Sequence, residues 1–159
     1  MTLVFPAAAY GGLVMTVYRR ILLVVDLTEG SVAIGRKAQA LAAALGAEVE
    51  LLHVVEFVPV EPMGETLMPS VQIEEELLER ARQRLAGLAA ELGLSGASCR
   101  VESGNVKSEI VRVARERHAE LIILGSRERH GLSILVNLTE DTVLHAAPCD
   151  VLAMRAGRS

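Results

Sequence analysis

Short apolar stretches alternate along this chain with longer stretches in which apolar residues recur at helical spacing. The predicted strands are 18–26, 48–55, 97–102, 121–124 and 151–154, and the predicted helices are 32–45, 70–92, 106–117 and 139–146. Strict alternation of strand and helix is typical of a parallel sheet with right-handed crossover connections. The sequence therefore predicts an α/β fold, an open five-stranded parallel sheet with helices on both faces (Rossmann-like).

The composition agrees with a sheet that is buried on both faces. Hydrophobic residues make up 51% of the 159 residues, but aromatic residues make up only 3%. The core must therefore consist of Ala, Leu, Val and Ile, as in a parallel sheet covered by helices. A chain of this length forms one ordinary domain, and we predict a single domain over residues 15–159 that follows an apolar extension over residues 1–14.

The first eighteen residues carry no charge, which raises the question of a membrane or export segment. Pro6 and the pair Gly11 and Gly12 interrupt this stretch, and the basic residues Arg19 and Arg20 follow it instead of preceding it. This arrangement argues against both a membrane span and a signal peptide. We expect a short extension that packs on the surface or across a partner, with a weak membrane anchor as the alternative.

Charge, cysteines and histidines argue against several classes of function. The net charge is −4, whereas a nucleic-acid surface needs a basic face. Cys99 and Cys149 belong to no CxxC or Cys/His cluster, so we expect two buried, reduced thiols, as suits a reducing cytoplasm. The four histidines are scattered, and no spacing predicts a metal site. No hydrolase motif and no pair of catalytic carboxylates occurs, so no catalytic residue is predicted.

The segment that begins at Leu121 is the best candidate for a functional site. Its apolar strand stops at Gly125, and we expect this glycine to adopt backbone angles that other residues avoid. A polar loop, SRERHG, follows and leads towards a helix. In open α/β sheets such a loop lies at the carboxyl end of its strand and directs backbone N–H groups at a ligand. Asp26 ends the first strand, and Ser31 is expected to cap the next helix.

Five segments together resemble the universal stress protein family. They are ILLVVDLTEGS at 21–31, ELLHVVE at 50–56, ESGNVKSEIVRVA at 102–114, AELIILGSR at 119–127 and HAAPCDVLAMR at 145–155. The resemblance implies the strand order 3-2-1-4-5, in which the first and fourth strands are adjacent. Asp26 and the loop after Gly125 would then meet in one crevice. A receiver domain is a weaker alternative because Asp26 has no acidic neighbour there.

The family has members that bind ATP and members, similar to universal stress protein A, that do not. The ATP-binding members have Gly, two residues, Gly, nine residues, and Gly followed by Ser or Thr. Counted from Gly125, this chain has Glu128 and Leu138 at the second and third glycine positions, and only Thr139 fits the end of the motif. Glu128 would repel a phosphate, and Asn137 with Glu140 matches a capping box that occupies the helix start.

The resemblance leaves a nucleotide-binding alternative open, with ATP and Mg as the cofactor. Under it the binding residues are Asp26, Val54, Gly125, Arg127, Gly131 and Thr139. Asp26 would contact the nucleoside and Val54 would flank the adenine. The structural interpretation of Asp26, which we weigh equally, is a carboxylate bonded to amides of its own loop. This alternative implies a nucleotide-dependent signalling module with slow hydrolysis.

The preferred hypothesis is a cytoplasmic, homodimeric universal stress protein without the full ATP motif. It would be a regulatory or protective binding module with no enzymatic turnover, no cofactor, no metal and no nucleic-acid partner. The resemblance implies the dimer, and the apolar edge strand formed by Val151, Leu152, Ala153 and Met154 supplies a physical reason for it. The hypothesis also allows for a regulatory protein partner.

Overall fold

The computed structural model describes residues 17–56, 70–126, 143 and 145–156. Its elements are β1 (Arg20–Val24), α1 (Gly30–Leu45), β2 (Glu48–Val55), α2 (Ser70–Glu91), β3 (Ser98–Ser103), α3 (Val106–Glu116), β4 (Leu121–Ser126) and β5 (Asp150–Arg155). The predicted extension over 1–14 lies outside the described residues. Of the fourth predicted helix, only Val143, His145 and Ala146 are described, and all three are helical.

All five strands lie in one parallel sheet in the order β3-β2-β1-β4-β5. The predicted fold and strand order are therefore confirmed. β1 occupies the centre, where Val24 is in register with Leu52 on one side and with Leu124 on the other. Because the strands are parallel, their carboxyl ends meet at one edge of the sheet, which we call the carboxyl edge.

The sheet is apolar on both faces, as its unbroken apolar strands predict. On one face Leu23 and Leu51 pack with Ile34 of α1 and Leu85 of α2. On the other face Leu22, Leu52 and Ile122 pack with Ile110 and Val113 of α3. Most of these side chains are at most 2% exposed, and each contributes about 1.5–3 kcal/mol through burial.

The ends of two helices form as the sequence indicates. The side chain of Asn105 caps α3 by accepting a hydrogen bond of 3.1 Å from the amide of Ser108. Gly46 ends α1 in the left-handed region, with φ of 64°, where a side chain would be strained. The sequence was sufficient to predict these two helix ends because both caps involve residues that are close in sequence.

The two edge strands are more exposed than the central strands. On β5, Leu152 keeps 37% of its surface exposed. On β3, Cys99 is exposed, whereas Cys149 just before β5 is half-buried, and both are free thiols. The expectation of two buried thiols was therefore wrong for Cys99. The physical reason is that, among the described strands, β3 pairs with β2 alone, so part of its surface stays open to solvent.

Candidate site at the carboxyl edge

The sheet brings three of the predicted site residues to the carboxyl edge. Asp26 follows Val24 by two residues, and Val54 follows Leu52 by the same interval. Since Val24 and Leu52 are in register, Asp26 and Val54 lie near the same level of the sheet. Gly125 follows Leu124, the partner of Val24 on the other side. The remaining three predicted residues, Arg127, Gly131 and Thr139, lie outside the described residues, as do Glu128 and Leu138.

The carboxylate of Asp26 is bound by its own loop. Its Oδ1 atom accepts hydrogen bonds from the amide of Thr28 at 3.0 Å, the hydroxyl of Thr28 at 2.6 Å and the hydroxyl of Ser31 at 2.9 Å. Hydrogen bonds to a carboxylate are stronger than those between neutral groups. This geometry supports the structural interpretation of Asp26 and leaves its predicted contact with a nucleoside untested.

Ser31 does not cap α1, so that prediction was wrong. The helix already begins at Gly30, and Glu29 occupies the capping position without a side-chain hydrogen bond. Ser31 is 4% exposed and donates its hydroxyl proton to Asp26, while its oxygen accepts the amide of Thr28 at 3.1 Å. Ser31 bonds within the loop instead of capping the helix because its buried hydroxyl needs hydrogen-bond partners. The Asp26 carboxylate is the acceptor that it finds there.

Two side chains that sequence reasoning did not assign to the site hold the same loop. A guanidinium nitrogen of Arg84 in α2 donates to the carbonyl of Leu27 at 2.5 Å. The ring atom Nδ1 of His53 in β2 lies 2.8 Å from the carbonyl of Val25. Because a carbonyl can only accept, Nδ1 of His53 carries the proton. No sequence signal points to Arg84, since 57 residues separate it from Leu27.

Gly125 lies inside β4 and does not end the strand. It pairs with Met154, and the strand continues to Ser126. Among the described glycines, the left-handed region is occupied by Gly46, Gly93 and Gly104. The expectation that Gly125 needs unusual backbone angles was therefore wrong. What disfavours a side chain is packing, because a Cβ atom at Gly125 would lie 2.5 Å from Cδ1 of Ile34 and would force that methyl group to shift.

Val54 belongs to the core as well as to the edge. Its side chain is 8% exposed and packs in the cluster beneath α3. Its partner across the ladder is Glu102 in β3. Along the edge, Val54 of β2 therefore lies between Asp26, which follows β1, and Glu102 of β3.

Arginines close to Glu102 are already engaged by carboxylates. Arg100 binds Glu102 directly and reaches Glu116 at 3.1 Å, and Arg112 binds Glu102 at 2.9 Å. Burial by itself raises the pKa of Glu102, but the hydrogen bonds and charges of Arg100 and Arg112 outweigh it and hold the pKa below its usual value. Glu102 is therefore ionised at neutral pH. A second anion near it gains little from arginines that already have partners.

Within residues 17–56, 70–126, 143 and 145–156, no group of three or more His, Cys, Asp or Glu side chains could hold a metal ion. In that same part of the chain, no helix has the length and apolar character needed to cross a membrane.

Comparison with known proteins identifies relatives of this architecture. A family model described as "Universal stress protein family" matches residues 17–155. Two proteins of Coxiella burnetii are similar over most of their length. Universal stress protein A homolog 2 is 35% identical over 139 residues, which are 87% of this chain and 95% of the relative. Universal stress protein A homolog 1 is 32% identical over 138 residues, which are 86% and 96%.

A solved structure described as a universal stress protein in complex with cAMP has a similar fold. The TM-score is 0.67, and the match covers 89% of this chain and 99% of the other. The two sequences are 18% identical, so this likeness concerns the arrangement of the backbone.

Proposed function

This chain belongs to the universal stress protein family, and we propose that it acts there as a homodimeric regulatory module, similar to universal stress protein A, that does not turn over ATP. The observation that carries the proposal is the bonding of Asp26, whose carboxylate accepts three hydrogen bonds from Thr28 and Ser31. A ligand that used the same oxygen would have to compete with them.

Charge and sequence at the carboxyl edge support the same proposal. The edge carries Asp26 after β1 and Glu102 in β3, one on each side of β2, and the arginines that bind Glu102 are shared with other glutamates. In the sequence after Gly125, Glu128 and Leu138 occupy the positions where ATP-binding members have glycine. Polyphosphate binding needs close backbone approach and free positive charge. The nucleotide alternative has less support, although a solved relative holds cAMP.

The proposed dimer forms through β5. Within the described part of the chain this strand pairs with β4 alone; Leu152 is exposed, and Val151 and Met154 are half-buried. An edge strand with apolar side chains favours pairing with another chain. A second copy of β5 is the partner that the family membership suggests. We place the dimer in the cytoplasm, in line with its two free thiols.

Calorimetric titration of the nucleotide-free protein with Mg-ATP, and separately with AMP, tests the proposal. We expect no saturable heat at millimolar nucleotide. Saturable binding at micromolar ATP that disappears in Asp26→Ala and persists in Glu29→Ala would overturn the proposal and establish a nucleotide switch. Glu29 is the matched control because it lies in the same loop without a side-chain capping bond.

A further inference from the structure

The loop that carries Asp26 contains a strained residue. Leu27 has a φ of 57°, in the left-handed region that only glycine enters freely. For a residue with a branched side chain this conformation costs on the order of 1 kcal/mol. Leu27 is also 8% exposed, with its side chain in the core between the sheet, α1 and α2. In this conformation the side chain of Leu27 is buried while that of Asp26 stays at the surface.

Strain of this kind persists only where surrounding contacts determine the conformation. Three sets of contacts do so here, one on each part of the loop. His53 holds the carbonyl of Val25 before the strained residue, and Thr28 and Ser31 hold the carboxylate of Asp26. The carbonyl of the strained residue itself is held by Arg84. Of the three, only the Arg84 bond connects the loop to α2.

Arg84 differs from the other arginines of its helix. Arg80 and Arg82 pair with Glu76 and Glu79 of the same helix, at 3.8 and 3.4 Å. These are exposed pairs within one helix, and such pairs contribute little to stability. Arg84 instead crosses to another element and donates to a neutral backbone oxygen. Because a backbone carbonyl is neutral, the guanidinium of Arg84 restrains the backbone at Leu27 more than it neutralises a charge there.

We propose that Arg84 is a positioning residue, which acts from α2 to hold Leu27 in its left-handed conformation and thereby places the carboxylate of Asp26 at the carboxyl edge. The inference rests on the proposed function only in taking the carboxyl edge as the functional surface. The Arg84 bond couples α2 to the Asp26 loop, so that a displacement of α2 at Arg84 changes the position of the Asp26 carboxylate. The contact needs no nucleotide and no second subunit.

Amide hydrogen exchange measured by NMR on the full chain, without nucleotide, tests this proposal. The reporters in the loop are the amides of Thr28 and Ser31, which are hydrogen-bonded within the loop. The reporters of global stability are the amides of Leu23 and Ile123 in the central strands. In Arg84→Met we expect exchange at Thr28 and Ser31 to accelerate about tenfold, as for the loss of one charge-assisted bond, with no change in the central strands.

Two further variants make the result specific. Arg82→Met removes an arginine of the same helix that pairs only with Glu79 among the contacts described, and it should leave the loop unchanged. Arg84→Lys keeps one donor on a long side chain and should restore part of the protection. The proposal is overturned if Arg84→Met leaves Thr28 and Ser31 unchanged, if the central strands accelerate equally, or if Arg82→Met has the same effect.

These outcomes are separate from those of the nucleotide titration. Failure of the exchange test would remove the role of Arg84 and leave the assignment as a regulatory dimer in place. Nucleotide binding in the calorimeter would change the ligand assigned to the carboxyl edge, but it would not alter the exchange of the nucleotide-free protein.

Discussion

Gly125 in β4 lies directly against Ile34 in α1, so that a Cβ atom added to the glycine would be 2.5 Å from Cδ1 of the isoleucine. Ile34 is 6% exposed, and its terminal methyl group would have to shift to admit the added carbon. The glycine therefore lets a helix approach the centre of the sheet. The contact with Ile34 gives this glycine a role in packing that does not depend on a phosphate.

Gly125→Ala should destabilise the fold by about 1–3 kcal/mol, the usual effect of forcing an extra carbon into a packed core. Chemical denaturation measures the change. Gly87→Ala is the matched control, because Gly87 lies in α2 with open space around it. This control should stabilise the protein by about 0.5–1 kcal/mol through helix propensity. Equal stability of Gly125→Ala and the wild type would contradict the packing interpretation.

Asp26→Ala should lower the free energy of unfolding by about 1–3 kcal/mol in the absence of any nucleotide. The reason is that the hydroxyl groups of Ser31, which is buried, and of Thr28 lose the acceptor of their protons, whereas the amide of Thr28 keeps the oxygen of Ser31. Asp26→Asn keeps an oxygen at the Oδ1 position and should lose less. Urea denaturation of the two variants separates the structural role of the carboxylate from any role in binding. Full stability of Asp26→Ala would show that the loop does not depend on it.

Leu152→Glu should convert the proposed dimer into a monomer. Leu152 is 37% exposed on β5, and a charge there would be buried without a partner if two edges paired. Size-exclusion chromatography with light scattering gives the mass. Ile73→Glu provides the control, since Ile73 is 53% exposed on α2 and lies away from β5. A dimer that survives Leu152→Glu would require a different interface.

Glu102→Gln should reduce the dependence of stability on pH in the acid range. Arg100 and Arg112 hold the pKa of Glu102 below its usual value against the effect of burial. A carboxyl group with a lowered pKa in the folded state stabilises the protein above the pKa of the unfolded chain, about 4.3, and this contribution is lost as the pH falls through the folded value.

Unfolding measured between pH 7 and pH 3 tests this expectation. The wild type should lose more stability over this range than Glu102→Gln does. Glu75→Gln, a substitution on the exposed surface of α2, should follow the wild-type profile. Parallel profiles for the wild type and Glu102→Gln would mean that the ion pairs around Glu102 add no net stability.

The fold could be predicted because its signals are local and repeated. The bounds of β2 agree with the prediction at both ends, and the strand order follows from the family resemblance. Asn105 and Gly46 acted as predicted because each closes a hydrogen bond within a few residues. The candidate site could be placed at the carboxyl edge for a similar reason, since every strand of a parallel sheet ends on the same side.

The sequence by itself determined the two-sided apolar sheet, the alternation of strands and helices and the position of Asp26 just beyond β1. Only the tertiary structure decided what these residues do there. The hydroxyl of Ser31 binds the carboxylate of Asp26 instead of capping a helix, and Gly125 lies against Ile34. Arg84 of α2 donates a hydrogen bond to the carbonyl of Leu27. Apolar periodicity is repeated along the chain, whereas each of these contacts depends on side chains that meet only after the layers have packed.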